Sequence, residues 1–322
     1  MIFEIAVFIA SVFILSWLSS RLVITLIDIA KYLHCREFII AFFVMAFAAS
    51  LPNLFVDVNA VLHNMPQIAF GDIVGGNLVD LTLVMAIAVL FSAKSLPAES
   101  EMVQKSAIFT SIIAILPIVL VWDGRLDRID GIVLLGAFAL YSYWLFSKED
   151  RFKKVYRGRP KNGVKGRFSF IFNLVKIVIF LALLLITSYF IINSAQFFSV
   201  RFGISLSLVG ILIVGLGNCF PEIYFSIISA KRGENWMILG DLMGSVIVCA
   251  TLVLGIIALI SPFEIRDLSP FLVTRIFTVL ASLIFLVFIR TGKKFTKMEG
   301  LLFLSIYVLF LLVEIFFPYI IK

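Results

Sequence analysis

Residues 46 to 84, AFAASLPNLFVDVNAVLHNMPQIAFGDIVGGNLVDLTLV, return at 215 to 253 as GLGNCFPEIYFSIISAKRGENWMILGDLMGSVIVCATLV, at a constant offset of 169 with no gap. The offset pairs Pro52 with Pro221, Gly71-Asp72 with Gly240-Asp241, Gly75 with Gly244, and Thr82-Leu83-Val84 with Thr251-Leu252-Val253. Each copy sets a proline and acidic groups inside an otherwise apolar stretch. A bilayer tolerates these only where backbone and charge face protein, water or ions. Polar interruptions at corresponding points of two halves are the sequence mark of a transporter core.

The surroundings of both copies fit that setting. The 322 residues are 62% hydrophobic and 15% charged, with 34 Phe and a mean hydropathy of +1.12, which excludes an ordinary soluble domain. Most apolar runs reach the roughly 20 residues that a spanning helix needs. Ten spans are expected, at about 3–30, 38–62, 67–92, 106–122, 130–147, 169–199, 205–230, 236–261, 269–289 and 299–320. The offset carries the first span onto the sixth, giving five spans per half. With an odd number, the second half enters from the opposite side. The expected fold is an all-α membrane protein of ten transmembrane helices, arranged as two inverted five-helix repeats with helices 2 and 7 broken. Residues 1–147 form the first repeat, 148–168 a basic cytoplasmic loop, and 169–322 the second repeat.

Orientation follows from Lys and Arg. Odd-numbered loops carry nineteen, nine of them between Lys148 and Arg167, against five on the other side: Arg125, Arg128, Arg201, Arg266 and Lys322. The positive-inside rule places both termini outside and the central loop in the cytoplasm, with a prokaryotic plasma membrane as the expected residence. The basic loop reads as a topology determinant and anionic-lipid contact rather than a nucleic-acid site. Met-Ile-Phe-Glu lacks a basic n-region and is followed by too long an apolar run for a cleaved signal peptide. Cys35, Cys219 and Cys249 form no CxxC pair, so no disulfide framework is expected.

Pro52 has no amide hydrogen and clashes with the preceding turn, so the second helix is expected to break around Ala49 to Pro52. Such breaks free carbonyl groups, which are cation ligands, and leave positive helix starts. Asp80 lies near the middle of the third span and Glu222 follows the second proline directly, with no Lys or Arg inside spans 2, 3, 7 or 8. A charge at a helix centre costs roughly 2.5 to 3.5 kcal/mol on insertion scales. One divalent cation neutralises two carboxylates, and carboxylate, amide, hydroxyl and backbone oxygens suit Ca²⁺. The bland alternative is that both acids are protonated and hydrogen-bonded, or that each faces a water-filled vestibule.

At these residues the chain resembles the calcium/cation antiporter superfamily, which includes sodium/calcium and proton/calcium exchangers and whose α-repeats resemble G-T-S-L-P-E followed by G-N-x-x-G-S-N. The first copy reads Ala48-Ala49-Ser50-Leu51-Pro52-Asn53, then Gly71-Asp72-Ile73-Val74-Gly75-Gly76-Asn77-Leu78-Val79-Asp80. The second reads Gly217-Asn218-Cys219-Phe220-Pro221-Glu222, then Gly240-Asp241-Leu242-Met243-Gly244-Ser245-Val246-Ile247-Val248-Cys249. The resemblance implies a diamond of ion ligands at the membrane centre. Its repeat glutamates fall on Asn53 and Glu222, and its polar residues beyond G-S-N on Asp80 and Cys249. Supporting hydroxyl positions fall on Ser50, Cys219, Gly76 and Ser245, with carbonyls near Ala46, Ala49, Gly215 and Asn218. Asn53, Gly76, Cys219 and Cys249 depart from the family type. Fewer oxygens imply fewer sodium sites and a coupling ratio below three.

The residues leave sodium and proton coupling both open, because Ser50, Asn53 and Ser245 supply neutral oxygens and a desolvated carboxylate can exchange metal for hydrogen ion. Cys219 and Cys249 raise soft-metal transport, against the commoner role of free Cys as a small packing residue. Asp72 and Asp241 read as caps or vestibule charges near helix starts, and Asp57 and Ser226 as an access path or as packing. Asp28, Glu314, His34 and His63 read as outer or interfacial residues. Gly71-x-x-x-Gly75 and Gly240-x-x-x-Gly244 offer small faces that bring the third and eighth spans against the second and seventh.

The expected function is secondary antiport of Ca²⁺ or a similar divalent cation for Na⁺ or H⁺, by alternating access around spans 2, 3, 7 and 8. Spans 1 and 6 act as the moving gate. The expected metal ligands are Asp80, Glu222, Asn53, Ser50, Ser245, Cys249 and Asn218. No cofactor is expected, and the expected partners are inorganic cations and membrane lipid. A cation channel or an exchanger for another divalent metal are the nearer alternatives. An intramembrane hydrolase is remote, because His-Glu-x-x-His, Gly-x-Ser-x-Gly and Gly-x-Gly-Asp are all missing.

Overall fold

The computed structural model describes residues 2–32, 45–93, 95–147, 167–233, 235–265 and 268–320. His34, Cys35, Arg266, Lys322 and residues 148–166 lie outside them. The first half runs α1 Ile2–Tyr32, α2 Met45–Leu62, α3 Pro66–Val79, a π-helical segment Asp80–Val84, α4 Met85–Phe91, β1 Leu96–Pro97, α5 Glu101–Leu120, β2 Arg125–Leu126 and α6 Arg128–Ser147. In the second half α7 Arg167–Phe202 is followed by α8 Leu206–Val209, a π segment Gly210–Val214, α9 Gly215–Asn218 and α10 Phe220–Arg232. Then come α11 Asn235–Ile247, a third π segment Val248–Val253, α12 Leu254–Ile260, β3 Phe263–Glu264, α13 Leu272–Gly292, β4 Lys294–Phe295 and α14 Lys297–Ile320. Among the described residues nine helices are long and apolar enough to cross a membrane, and Ala49–Leu62 is a shorter apolar helix at the expected second span. The protein is an integral membrane protein.

Local structure recurs at the sequence offset. The π segment that starts at Asp80 begins one residue later in register than the one that starts at Val248, and Met85–Phe91 maps onto Leu254–Ile260 at 169. In the two π segments related by the offset, Asp80–Val84 and Val248–Val253, a threonine bonds back to the carbonyl four residues before it: Thr82 Oγ1 donates to Leu78 O and Thr251 Oγ1 to Ile247 O, both at 2.5 Å. The last helix of each half opens with a reciprocal capping box. Asp127 accepts from the Asp130 amide at 3.0 Å while Asp130 accepts from the Asp127 amide at 2.9 Å. At the equivalent place Glu299 accepts from the Thr296 amide at 2.6 Å, and Thr296 Oγ1 faces the Glu299 amide at 3.4 Å.

The short strands tie the halves together crosswise. β1 pairs antiparallel with β4, Leu96 opposite Phe295, and β2 pairs antiparallel with β3, Arg125 opposite Glu264. The helices cross in the same way, with α6 against α12, α14 against α4, and α1 alongside α7. Phe70 and Phe271 meet edge to face at 5.1 Å, and Phe285, Phe295 and Phe303 are fully buried. The α3–α4 and α11–α12 units are buried almost throughout, whereas α1, α6 and α7 expose rows of large apolar side chains such as Phe13, Ile132 and Val178. Exposed apolar rows of this length match lipid contact rather than water.

One local expectation is corrected. α2 continues through Pro52 as one helix, so the break expected at Ala49 to Pro52 is absent there. The equivalent proline does start a new helix, because α9 ends at Asn218 and α10 begins beyond Cys219. The cause lies upstream of each proline. Ala46, Ala48 and Ala49 hold a helix with one hydrogen bond missing, whereas Gly215, Gly217 and Asn218 are weak helix formers.

Candidate functional site

Four helical stripes of polar residues converge between the halves. α2 contributes Ser50, Asn53 and Asp57, spaced by three and four residues and therefore on one face. α3 and its π segment contribute Asp72, Gly76 and Asp80 at intervals of four. α10 supplies Glu222 and Ser226, and α11 with its π segment supplies Asp241, Ser245 and Cys249. Ser50, Asn53, Asp57, Asp72, Asp80, Asn218, Glu222, Ser226, Ser245 and Cys249 are all buried, and Asp241 is partly exposed.

The helices can come this close because the facing residues are small. An ideal Cβ on Gly75 would stand 2.7 Å from Ile211 O, and one on Gly71 would stand 2.9 Å from Ser207 O. α3 is thereby seated against the segment from α8 to α9, the third span on the seventh, as the glycine spacing predicts. Residues 38–42, which correspond at the same offset to the segment facing Gly71 and Gly75, lie outside the described residues.

Polar contacts at the centre join one half to the other. Asn53 Nδ2 donates to Cys249 Sγ at 3.4 Å, and Cys219 Sγ donates to Gly76 O at 3.6 Å. Asn218 Nδ2 donates to Asp72 Oδ2 at 2.6 Å. Ser245 and Cys219 lie within hydrogen-bonding reach of the Asp80 carboxylate, and Ser50 within reach of the Cys249 thiol. Asp80 is the strongest charged neighbour of Glu222. These contacts bring together six of the seven expected ligands: Asp80, Glu222, Asn53, Ser50, Ser245 and Cys249. Asn218 stands apart in one respect, because its side-chain amide is committed to Asp72.

Several buried acceptors have no donor. Both Glu222 carboxylate oxygens, Asp80 Oδ1 and Asn53 Oδ1 lack a hydrogen-bond partner, as do both Asp57 oxygens and Asp72 Oδ1. Among the described residues no Lys, Arg or His is buried. Four buried carboxyl groups therefore sit in one region without a basic partner. Among the described residues no three His, Cys, Asp or Glu side chains converge on one metal position. The arrangement at the centre is two carboxylates supplemented by neutral oxygens from Ser50, Ser245 and Asn53, a hard-ligand set.

Asp72 does not cap a helix start. It lies midway along α3, 1% exposed, and bonds across to Asn218. Asp57 is fully buried and packs against Asp72, so it does not line an open path. The sequence carried a signal for this pair: Asp57 follows Asn53 by one turn and Asp72 precedes Gly76 by one turn, on the stripes that hold the expected site. Glu314 is also buried and accepts from Thr274 Oγ1 at 3.0 Å.

Comparison with known proteins agrees with this architecture. The family model described as sodium/calcium exchanger protein matches residues 3–147 and 172–316, and 172 less 3 and 316 less 147 both give 169. The chain is 24% identical to the sodium/calcium exchanger MaX1 of Methanosarcina acetivorans, over 88% of this chain and 91% of that one. It is 25% identical to the putative antiporter CaxA of Alkalimonas amylolytica, over 92% of this chain and 93% of that one. Its fold matches the solved structure of the sodium-calcium exchanger NCX_Mj soaked with Na⁺ and Sr²⁺, with a TM-score of 0.66 at 25% identity, covering 96% of this chain and 97% of that one. With the family model spanning both halves and the fold matched over nearly the whole chain, the chain belongs to the sodium/calcium exchanger family of membrane transporters.

Proposed function

We propose that the protein is a secondary antiporter that exchanges Ca²⁺ or a similar divalent cation for Na⁺ or H⁺, with Asp80 and Glu222 as the charged ligands. The observation that carries this reading is the state of Glu222. Both of its oxygens are buried without a donor, and its strongest charged neighbour is another carboxylate. Two such anions are tolerable in an apolar core only when cations occupy the site. Ser50, Asn53, Ser245 and the backbone near Asn218 supply neutral oxygens, and Cys249 orients Asn53 so that its Oδ1 stays free. Gly76 and Cys249 stand where the family places oxygen ligands. That deficit favours a coupling ratio below three, with two Na⁺ or two H⁺ per divalent ion.

Residues 1–147 and 169–322 form two five-helix repeats inverted across the membrane, with residues 148–168 in the cytoplasm and both termini outside. The crosswise pairing of the strands supports this, because each pair joins a loop of one half to a different loop of the other. α1 and α7, packed on each other and largely exposed to lipid, are the elements that slide past the fixed core. Movement is confined to the cation-loaded core, since the bare carboxylates would be too costly to enclose. Obligatory exchange follows.

The test is ⁴⁵Ca²⁺ uptake into proteoliposomes driven by an outward Na⁺ gradient or by a pH gradient. Wild-type protein is expected to give saturable uptake that requires the counter-ion, and Asp80→Asn and Glu222→Gln each to lower it at least a hundredfold while remaining monodisperse. Wild-type uptake by either variant would remove that carboxylate from the mechanism. Uptake without a counter-ion would mean conduction instead of exchange.

A further inference from the structure

We propose that Asn59 of α2 and Ser188 of α7 form a polar latch that holds one corner of the transport core shut, and that the equivalent corner between α1 and α10, which has no latch, stands open at rest. The inference rests on the reading of α1 and α7 as the sliding pair. Asn59 lies in the last turn of α2. Its Nδ2 donates to Ser188 Oγ at 2.5 Å and to Leu185 O at 3.4 Å, both on α7, and keeps a bond to Phe55 O at 3.1 Å on its own helix. Ser188 is buried, and its hydroxyl donates in turn to Leu185 O at 2.8 Å. One turn further along, the rings of His63 and Tyr189 meet at 5.5 Å.

The corresponding corner of the other half cannot make this contact. The offset of 169 carries Asn59 onto Ile228 and Ser19 onto Ser188, so α1 would bring a hydroxyl against an apolar side chain. Leu51, Phe55 and Asn59, spaced by four, form one stripe of α2, and their equivalents on α10 are Phe220, Tyr224 and Ile228. Leu51 and Phe55 are half-buried, whereas Phe220 and Tyr224 are 49% and 66% exposed. One stripe is covered and latched; the other is open. α1 packs along α7, and Ser194 Oγ donates to Glu4 Oε2 at 3.4 Å, so a shift of one helix carries the other. In an inverted repeat, closing the α10 corner requires the pair to leave α2. The Asn59 bonds then break and nothing equivalent forms in return. A bond of this kind between membrane helices tilts a two-state balance by about threefold on average and about twentyfold at most.

Disulfide formation under mild oxidation, in the purified full-length protein with Cys35→Ser, tests this. Asn59→Cys with Ser188→Cys is expected to cross-link at least fivefold faster than Ile228→Cys with Ser19→Cys, and equal rates overturn the asymmetry. Asn59→Leu is expected to speed the cross-link between Ile228→Cys and Ser19→Cys about threefold, although that pair belongs to the other corner. A contact that merely holds α2 in place would leave this remote rate unchanged, and an unchanged rate overturns the proposal. Ser188→Ala, which removes the hydroxyl acceptor alone, decides the point if Asn59→Leu does not fold. In proteoliposomes the oxidised Asn59→Cys, Ser188→Cys protein is expected to lose counter-ion-driven ⁴⁵Ca²⁺ uptake at least tenfold and to regain it on reduction; full uptake while cross-linked overturns the latch. Cross-linking rates as expected, in a protein whose unsubstituted form takes up no ⁴⁵Ca²⁺, would keep the latch and sink the exchange reading instead.

Discussion

Gly75 and Gly136 are both helical glycines, and they carry opposite expectations. At Gly75 an added methyl group would meet Ile211 O at 2.7 Å and Ile211 Cα at 2.9 Å, both backbone atoms of the opposite half. Neither can move without shifting a helix that holds part of the site, so Gly75→Ala is expected to destabilise by about 1–3 kcal/mol. At Gly136, on an exposed face of α6, nothing lies within 4 Å of that position. Gly136→Ala is expected to be neutral or to gain up to about 1 kcal/mol from helix propensity. Midpoints of thermal unfolding in detergent should separate the two, and equal midpoints would show that backbone contact at Gly75 does not hold the halves together. The same close approach lets short side chains such as Asn53 and Cys249, from different halves, bond directly at 3.4 Å.

Lys297 shows how elements from the two halves are fixed to each other. Its ammonium lies at the start of α14 and donates to Val89 O at 2.8 Å, to Leu90 O at 2.7 Å and to Ser92 O, closing the exposed carbonyl end of α4. Charge-assisted bonds of this kind are worth about 1.5–3 kcal/mol. Lys297→Met is expected to lower the unfolding midpoint and to speed amide exchange at Ser92 and the end of α4. Unaltered exchange there would mean that α4 is held by packing alone. The contact was not legible in the sequence, where Lys297 reads only as one positive charge in an odd-numbered loop. Element type and most limits were legible because hydropathy and the 169 offset both mark them, although α5 begins at Glu101, five residues before the expected span. The π segments were not, since an extra residue inside a buried apolar helix alters neither composition nor charge. Thr82 and Thr251, which bond back to the preceding turn within them, look like any small residue in a repeat. At the site, Asp80 and Glu222 stood out as uncompensated acids. Asp72 was misread as a cap because its partner, Asn218, is 146 residues away.

Across the whole molecule, the strand pairs and the basic residues bear on one question, the orientation of the halves. β1 and β4 lie in odd-numbered loops and β2 and β3 in even-numbered loops, and pairing occurs only within each class. If hydrogen-bonded strands share a membrane face, then Arg125 and Lys294, equivalent residues at the offset of 169, must lie on opposite faces. In the proposed orientation, taken from the Lys and Arg count, the odd-numbered face is cytoplasmic. In a Cys35→Ser background, Lys294→Cys and Pro97→Cys are therefore expected to react with a membrane-impermeant maleimide only in inside-out vesicles. Arg125→Cys and Glu264→Cys should react only in intact cells; all four side chains are exposed, and Cys219 and Cys249 are buried. Labelling of Arg125→Cys and Lys294→Cys from one face would abolish the inverted arrangement. With it would go the pseudo-two-fold axis in the membrane plane that relates the two halves of the proposed site.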